Sequence, residues 1–166
     1  MSKIVATFVL SFFVAALWLM QGAAADDNPL LGTWTLDVAK SRIEAGPMLR
    51  SETRIYGIAN TGGSLTLVVE GVDADGTAYA YGATGDLNGT EYPVVGRDVG
   101  ARILGDRISW RRIDPDTVEM TIKKKGEVIN TTRHSVSQDG KTLTVTENGI
   151  DPEGLPVHAT RVYEKQ

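Results

Sequence analysis

The chain has 166 residues, no cysteine, and a formal net charge of −4. Without cysteine it has no disulfide, no thiol chemistry and no route to a Cys-lipidated N-terminus. An acidic balance makes it a poor partner for nucleic acid or anionic lipid, so neither is expected.

The first stretch is a leader. Lys3 precedes an apolar run, Ile4 to Met20, broken only by Thr7 and Ser11, and Ala23-Ala24-Ala25 offers a small-residue cleavage site. This pattern predicts a signal peptide over 1–25 and a mature domain over 26–166, periplasmic or secreted, with no membrane span after cleavage. The rival is an uncleaved anchor, for which the 17-residue run is at the short limit of the roughly 17–25 needed. Removing Lys3 leaves 16 Lys+Arg against 21 Asp+Glu, a net −5. The mature chain keeps only Trp34, Trp110 and five tyrosines as aromatics, so its core is mainly Val, Ile and Leu.

Leu31 to Asp37 alternates as a first strand, with Gly32, Trp34 and Leu36 on one face. Asp37 then reads as an N-cap for one short helix over 37–43, stopped by Gly46-Pro47. From Arg50 onward turn residues recur every 8–12 positions, the spacing of an all-β barrel or sandwich. Strands are expected near 50–58, 64–72, 77–84, 90–95, 101–104, 107–113, 117–124, 127–136, 142–148 and 156–164. Such short connections exclude parallel pairing. An up-and-down sheet of so many strands exposes edges unless it closes. The expected fold is therefore a closed antiparallel up-and-down β-barrel of about eight to ten strands, with one short helix after the first strand, and a sandwich as the alternative.

Turn chemistry assigns faces. Ala74-Asp75-Gly76 fits a three-residue hairpin loop, which sets Val69 opposite Tyr81 and Gly71 opposite Tyr79. Leu65, Leu67 and Val69 are the apolar face, so Tyr79 and Tyr81 join it. Lys124-Lys125-Gly126 read the same way places Val128, Asn130, Thr132, His134 and Val136 inside. At the next turn, a three-residue loop sets Val145 opposite Arg133, whereas a two-residue Asp139-Gly140 turn sets it opposite His134. The second keeps both hairpins consistent, and one residue of slip flips the strand.

The chemical motifs are sparse. Asp73-Ala74-Asp75-Gly76 lacks the spacing of a calcium loop. There is no P-loop and no nucleophile elbow. His134 and His158 fall on opposite faces, so no metal site and no cofactor is expected. If the last strand closes on the first, Arg161 can cover Trp34 as a cation–π latch, making Gly32, Trp34 and Arg161 a structural seam. Alternatively Arg161 and Tyr163, two apart on one inward face, present donors to a ligand carboxylate.

These residues carry a resemblance. Gly32-Thr33-Trp34 is similar to the G-x-W signature of lipocalins, where an Arg on the last strand covers the Trp. Thr160 to Lys165 resembles the end of intracellular fatty-acid-binding proteins, whose inward Arg and Tyr hold a carboxylate. Both belong to the calycin group of barrels, and the mature chain looks like exported bacterial lipocalin-like proteins of unknown ligand. The leader, the lack of a helical lid and the lack of cysteine depart from those patterns. The expectation is an exported binder of a small hydrophobic or amphipathic molecule. Its pocket would include Tyr79, Tyr81, Trp110, Met120, Asn130 and His134, anchored by Arg161 and Tyr163, with no catalytic residue assigned. The alternatives are a filled-barrel envelope protein without a ligand, or a barrel isomerase or cyclase using His134 and a Tyr as acid/base.

Overall fold

The computed structural model describes residues 28–59, 63–97, 105–150 and 154–166. The leader and the strand expected at 101–104 lie outside the described residues. The rest is eleven strands: β1 Gly32–Ala45, β2 Leu49–Ala59, β3 Ser64–Asp73, β4 Ala78–Gly85, β5 Asn88–Pro93, β6 Val95–Arg97, β7 Arg107–Asp114, β8 Thr117–Lys124, β9 Glu127–Val136, β10 Thr142–Ile150 and β11 Pro156–Lys165. They form one antiparallel sheet in the order β5-β7-β8-β9-β10-β11-β1-β2-β3-β4-β6. The two ends of that order, β5 and β6, are separated only by Val94, so one run of chain pairs with β7 and then with β4. The sheet is thereby a nearly closed barrel rather than a sandwich.

The expectation of a closed barrel with a helix after the first strand is corrected on the helix: the described residues contain none, and 37–45 is the second half of β1. The capping signal at Asp37 is real but serves a bulge. Asp37 pairs with Val162 and Arg42 with Thr160, so four residues of β1 face one of β11. Asp37 Oδ1 accepts from the Lys40 amide, and Ser41 Oγ donates to the Asp37 carbonyl while accepting from the Val162 amide. The bonds that would open a helix instead satisfy a local kink while both flanks keep their strand partners.

The hairpins follow their turn residues. Asp73 and Thr77 close the Ala74–Gly76 loop, and Val69 faces Tyr81 and Gly71 faces Tyr79. Val145 faces His134, the register of the shorter β9–β10 reading. The β8–β9 turn differs from expectation. Lys124 pairs with Glu127 across a two-residue Lys125-Gly126 turn, with φ of 51° and 88°, and a bulge between Ile122 and Lys123 restores the parity. Asn130, Thr132, His134 and Val136 are buried as expected, but Val128, before the bulge, is 58% exposed.

One half of the interior is packed solid. Trp34, Tyr56, Leu67, Val69, Trp110 and Leu143 are among its buried residues, each at most 2% exposed. Burial of such side chains, about 1.5–3 kcal/mol each relative to exposure, is what a disulfide-free domain has to rely on.

Candidate functional site

Above that packed layer the interior turns polar. Glu52 and Arg54 alternate inward on β2, and each is only 4% exposed. Arg54 Nε donates to Glu52 Oε1 at 2.7 Å and to the Tyr163 hydroxyl at 3.0 Å. Tyr163 and Tyr79 donate their hydroxyls to the two Glu52 oxygens, each at 2.5 Å. The Arg54 guanidinium also lies 5.1 Å from the centre of the Tyr163 ring. Gly71 makes this reach possible. It sits between Glu52 and Tyr79 in the sheet, and a Cβ there would come within 2.4 Å of the Tyr79 ring and hydroxyl.

A second ion pair faces the first. Arg161 Nη1 donates to Glu147 Oε2, and Glu147 Oε1 accepts from Asn130 Nδ2 at 2.7 Å. Burial pushes Glu52 upward, but Arg54 beside it and the donating hydroxyls of Tyr163 and Tyr79 hold its carboxyl below the usual range. Burial, aided by the Arg54 charge, pushes His134 well below its ordinary value, so it is neutral. Its Nδ1 meets the Tyr56 hydroxyl at 2.6 Å and its Nε2 the Thr132 hydroxyl at 2.7 Å. Burial pushes Tyr56 up to about 12.

These groups surround a chamber of about 50 Å³, walled by Glu52, Arg54, Tyr81, Asn130, Glu147 and Arg161 among others. Three buried polar atoms of its walls lack a protein partner: Arg54 Nη1, Arg161 Nε and Asn130 Oδ1. Arg161 is also part of a second hollow, a cleft of about 270 Å³ at the bulged end of β1, lined mainly by Leu36, Val38, Ile43, Met48 and Leu49, with Ser41 and Arg42 also in its wall. A polar chamber and an apolar cleft thus share one arginine. Larger depressions lie elsewhere, one of them against β3 and β4 with Val68, Thr84 and Val95 in its wall.

The expected pocket residues divide. Tyr79, Tyr81, Met120, Asn130 and Arg161 border the chamber. Tyr163 reaches it through Glu52, and His134 stands behind Thr132. Trp110 is buried in the packed half, its ring 5.5 Å from that of His134. The seam has a different cation from the one expected. Trp34 pairs directly with Lys165, whose Nζ sits 5.0 Å from the Trp34 ring centre, while Arg161 lies opposite the β1 bulge and binds Glu147. Gly32, at φ 126°, belongs to this contact, since a Cβ there would meet Lys165 Cε at 3.0 Å. Trp34 Nε1 donates to the Leu30 carbonyl at 2.7 Å.

Glu52, Arg54 and Glu147 were not among the expected residues, yet the signal was present. Ala59 pairs with Ser64, and counting from that pair sets Arg54 opposite Val69 and Glu52 opposite Gly71, on the inward face. The register that puts Val145 opposite His134 likewise puts Glu147 opposite Thr132.

No family model matches the chain, and no curated protein matches it significantly. Among solved structures it is similar to a redesigned β-barrel, mFAP1, bound to DFHBI, at 12% identity and a TM-score of 0.45, over 84% of this chain and 97% of that one. A likeness at that level does not extend to ligand or activity.

Proposed function

We propose that the protein is an exported binder of a small amphipathic molecule. The supporting observation is the shared position of Arg161, which walls both a polar chamber and an apolar cleft. The ligand's chain lies in the cleft against Leu36, Ile43, Met48 and Leu49, where removal of apolar area from water supplies affinity. Its polar end meets the unpaired Arg161 Nε and the chamber behind it, which sets orientation. The cleft, at about 270 Å³, holds a short or medium chain rather than a bulky ring system.

Val38 lines the cleft and is 48% exposed, so Val38→Trp fills the hollow without disturbing a buried contact. Native mass spectrometry of the purified protein is expected to show a bound amphiphile that Val38→Trp lacks at an unchanged melting temperature. Equal retention by the variant would place the ligand elsewhere.

The packed half of the barrel favours a second reading, a filled envelope protein without a ligand. On that reading purified protein carries no amphiphile and gains no stability from one.

A further inference from the structure

We infer that the chamber is built for a neutral, hydroxyl-bearing head and discriminates against a carboxylate. This deepens the amphiphile reading above and rests on it.

The chamber already contains its own balanced charges. Glu52 is paired with Arg54, and Glu147 with Arg161, so the two carboxylates and two guanidiniums cancel. His134, the titratable neighbour from β9, faces it only through Thr132, and Tyr79, Tyr81 and Tyr163 are uncharged phenols. The charges that a ligand carboxylate would neutralise are already matched from within: the Tyr163 hydroxyl and Arg54 serve Glu52, and Arg161 serves Glu147. A third carboxylate would leave an excess negative charge in about 50 Å³ of buried space. An uncompensated buried charge is strongly disfavoured.

What remains open is a neutral pattern. Arg54 Nη1 and Arg161 Nε are donors, and Asn130 Oδ1 is an acceptor, its amide nitrogen being committed to Glu147. A hydroxyl has two lone pairs and one proton, which matches two donors and one acceptor in number and kind. A carboxylate has no proton to give, and its oxygen would face the Asn130 carbonyl oxygen. Specificity here comes from rejection as much as from attraction.

The test is a matched pair of probes on the purified protein at about pH 7.5, where octanoate is ionised. Octanol and octanoate are titrated separately, with binding followed by amide chemical shifts. The expected result is tighter binding of octanol, by at least about tenfold, because an unpaired buried charge is strongly disfavoured. Octanoate binding as tightly or more tightly overturns the inference and leaves the amphiphile reading standing. If neither binds, both fall. Glu147→Gln provides a second arm: removing one negative charge should shift the preference toward octanoate by about tenfold. An unshifted preference in a folded Glu147→Gln protein also overturns the inference.

Discussion

Glu52 and Arg54 illustrate how two residues of one strand can make a barrel interior polar. Each is buried, and each is acceptable there only because the other, with Tyr79 and Tyr163, satisfies it. Removing one partner exposes the desolvation cost of the other. Glu52→Leu is therefore expected to destabilise by about 3–5 kcal/mol in chemical denaturation, while Glu52→Leu combined with Arg54→Leu loses less than the single change. A double variant at least as unstable as the single one would show that the pair contributes more than its own mutual compensation. Sequence alone left this pair out for a physical reason. In Ser51-Glu52-Thr53-Arg54-Ile55-Tyr56 the charged residues share a face with Tyr56, and Ile55 on the other face is 44% exposed. Binary patterning places charges outside, and only the pairing with β3 reverses that reading. Trp34 shows the same limit. It has the same parity as Arg161, but Arg161 sits opposite the four-residue bulge of β1, and Lys165 lies opposite Trp34 instead.

At the scale of the element, turns decide which face is inside. The Ala74–Gly76 loop is legible because it offers few conformations and the apolar face of the neighbouring strand arbitrates, whereas the β9–β10 connection leaves two registers open until consistency with the other hairpin favours one. Turn chemistry makes the β8–β9 loop one residue longer than it is, and the bulge after Ile122 compensates, so the expected inner set is buried except at Val128. In that turn Lys125 adopts φ 51°, a left-handed conformation costly for a side chain with a Cβ. Lys125→Asn is expected to raise stability by about 0.5–1 kcal/mol, read as a higher denaturation midpoint with unchanged slope, because Asn tolerates that region. The helix assigned to 37–43 failed for a comparable reason: Asp37 caps a kink as readily as a helix, and β11 competes for the same backbone.

For the molecule as a whole, antiparallel β architecture follows from spacing and turn chemistry, whereas the chamber arises from long-range register and could be derived only by carrying that register across several strands. One consequence is a pH dependence. His134 is held neutral, well below its unfolded value of 6.5, first by burial and then by Arg54. The unfolded chain therefore binds the proton more readily, and stability present above pH 6.5 is lost as pH falls below it. Stability is expected to fall progressively as pH drops below about 6.5, approaching at most one proton's worth of slope, and the fall should flatten in His134→Gln. A slope of the same size in that variant would assign the effect to other groups.

The proposed function requires the chamber and the cleft to act together on one ligand through Arg161. Nitrogen-resolved NMR of the Arg161 side chain during an octanol titration addresses it directly. Arg161 Nε–H is expected to shift together with the methyl groups of Leu36, Ile43 and Leu49, saturating at one ligand per chain. A silent Arg161, with shifts confined to the outer face around Val68 and Val95, would contradict it.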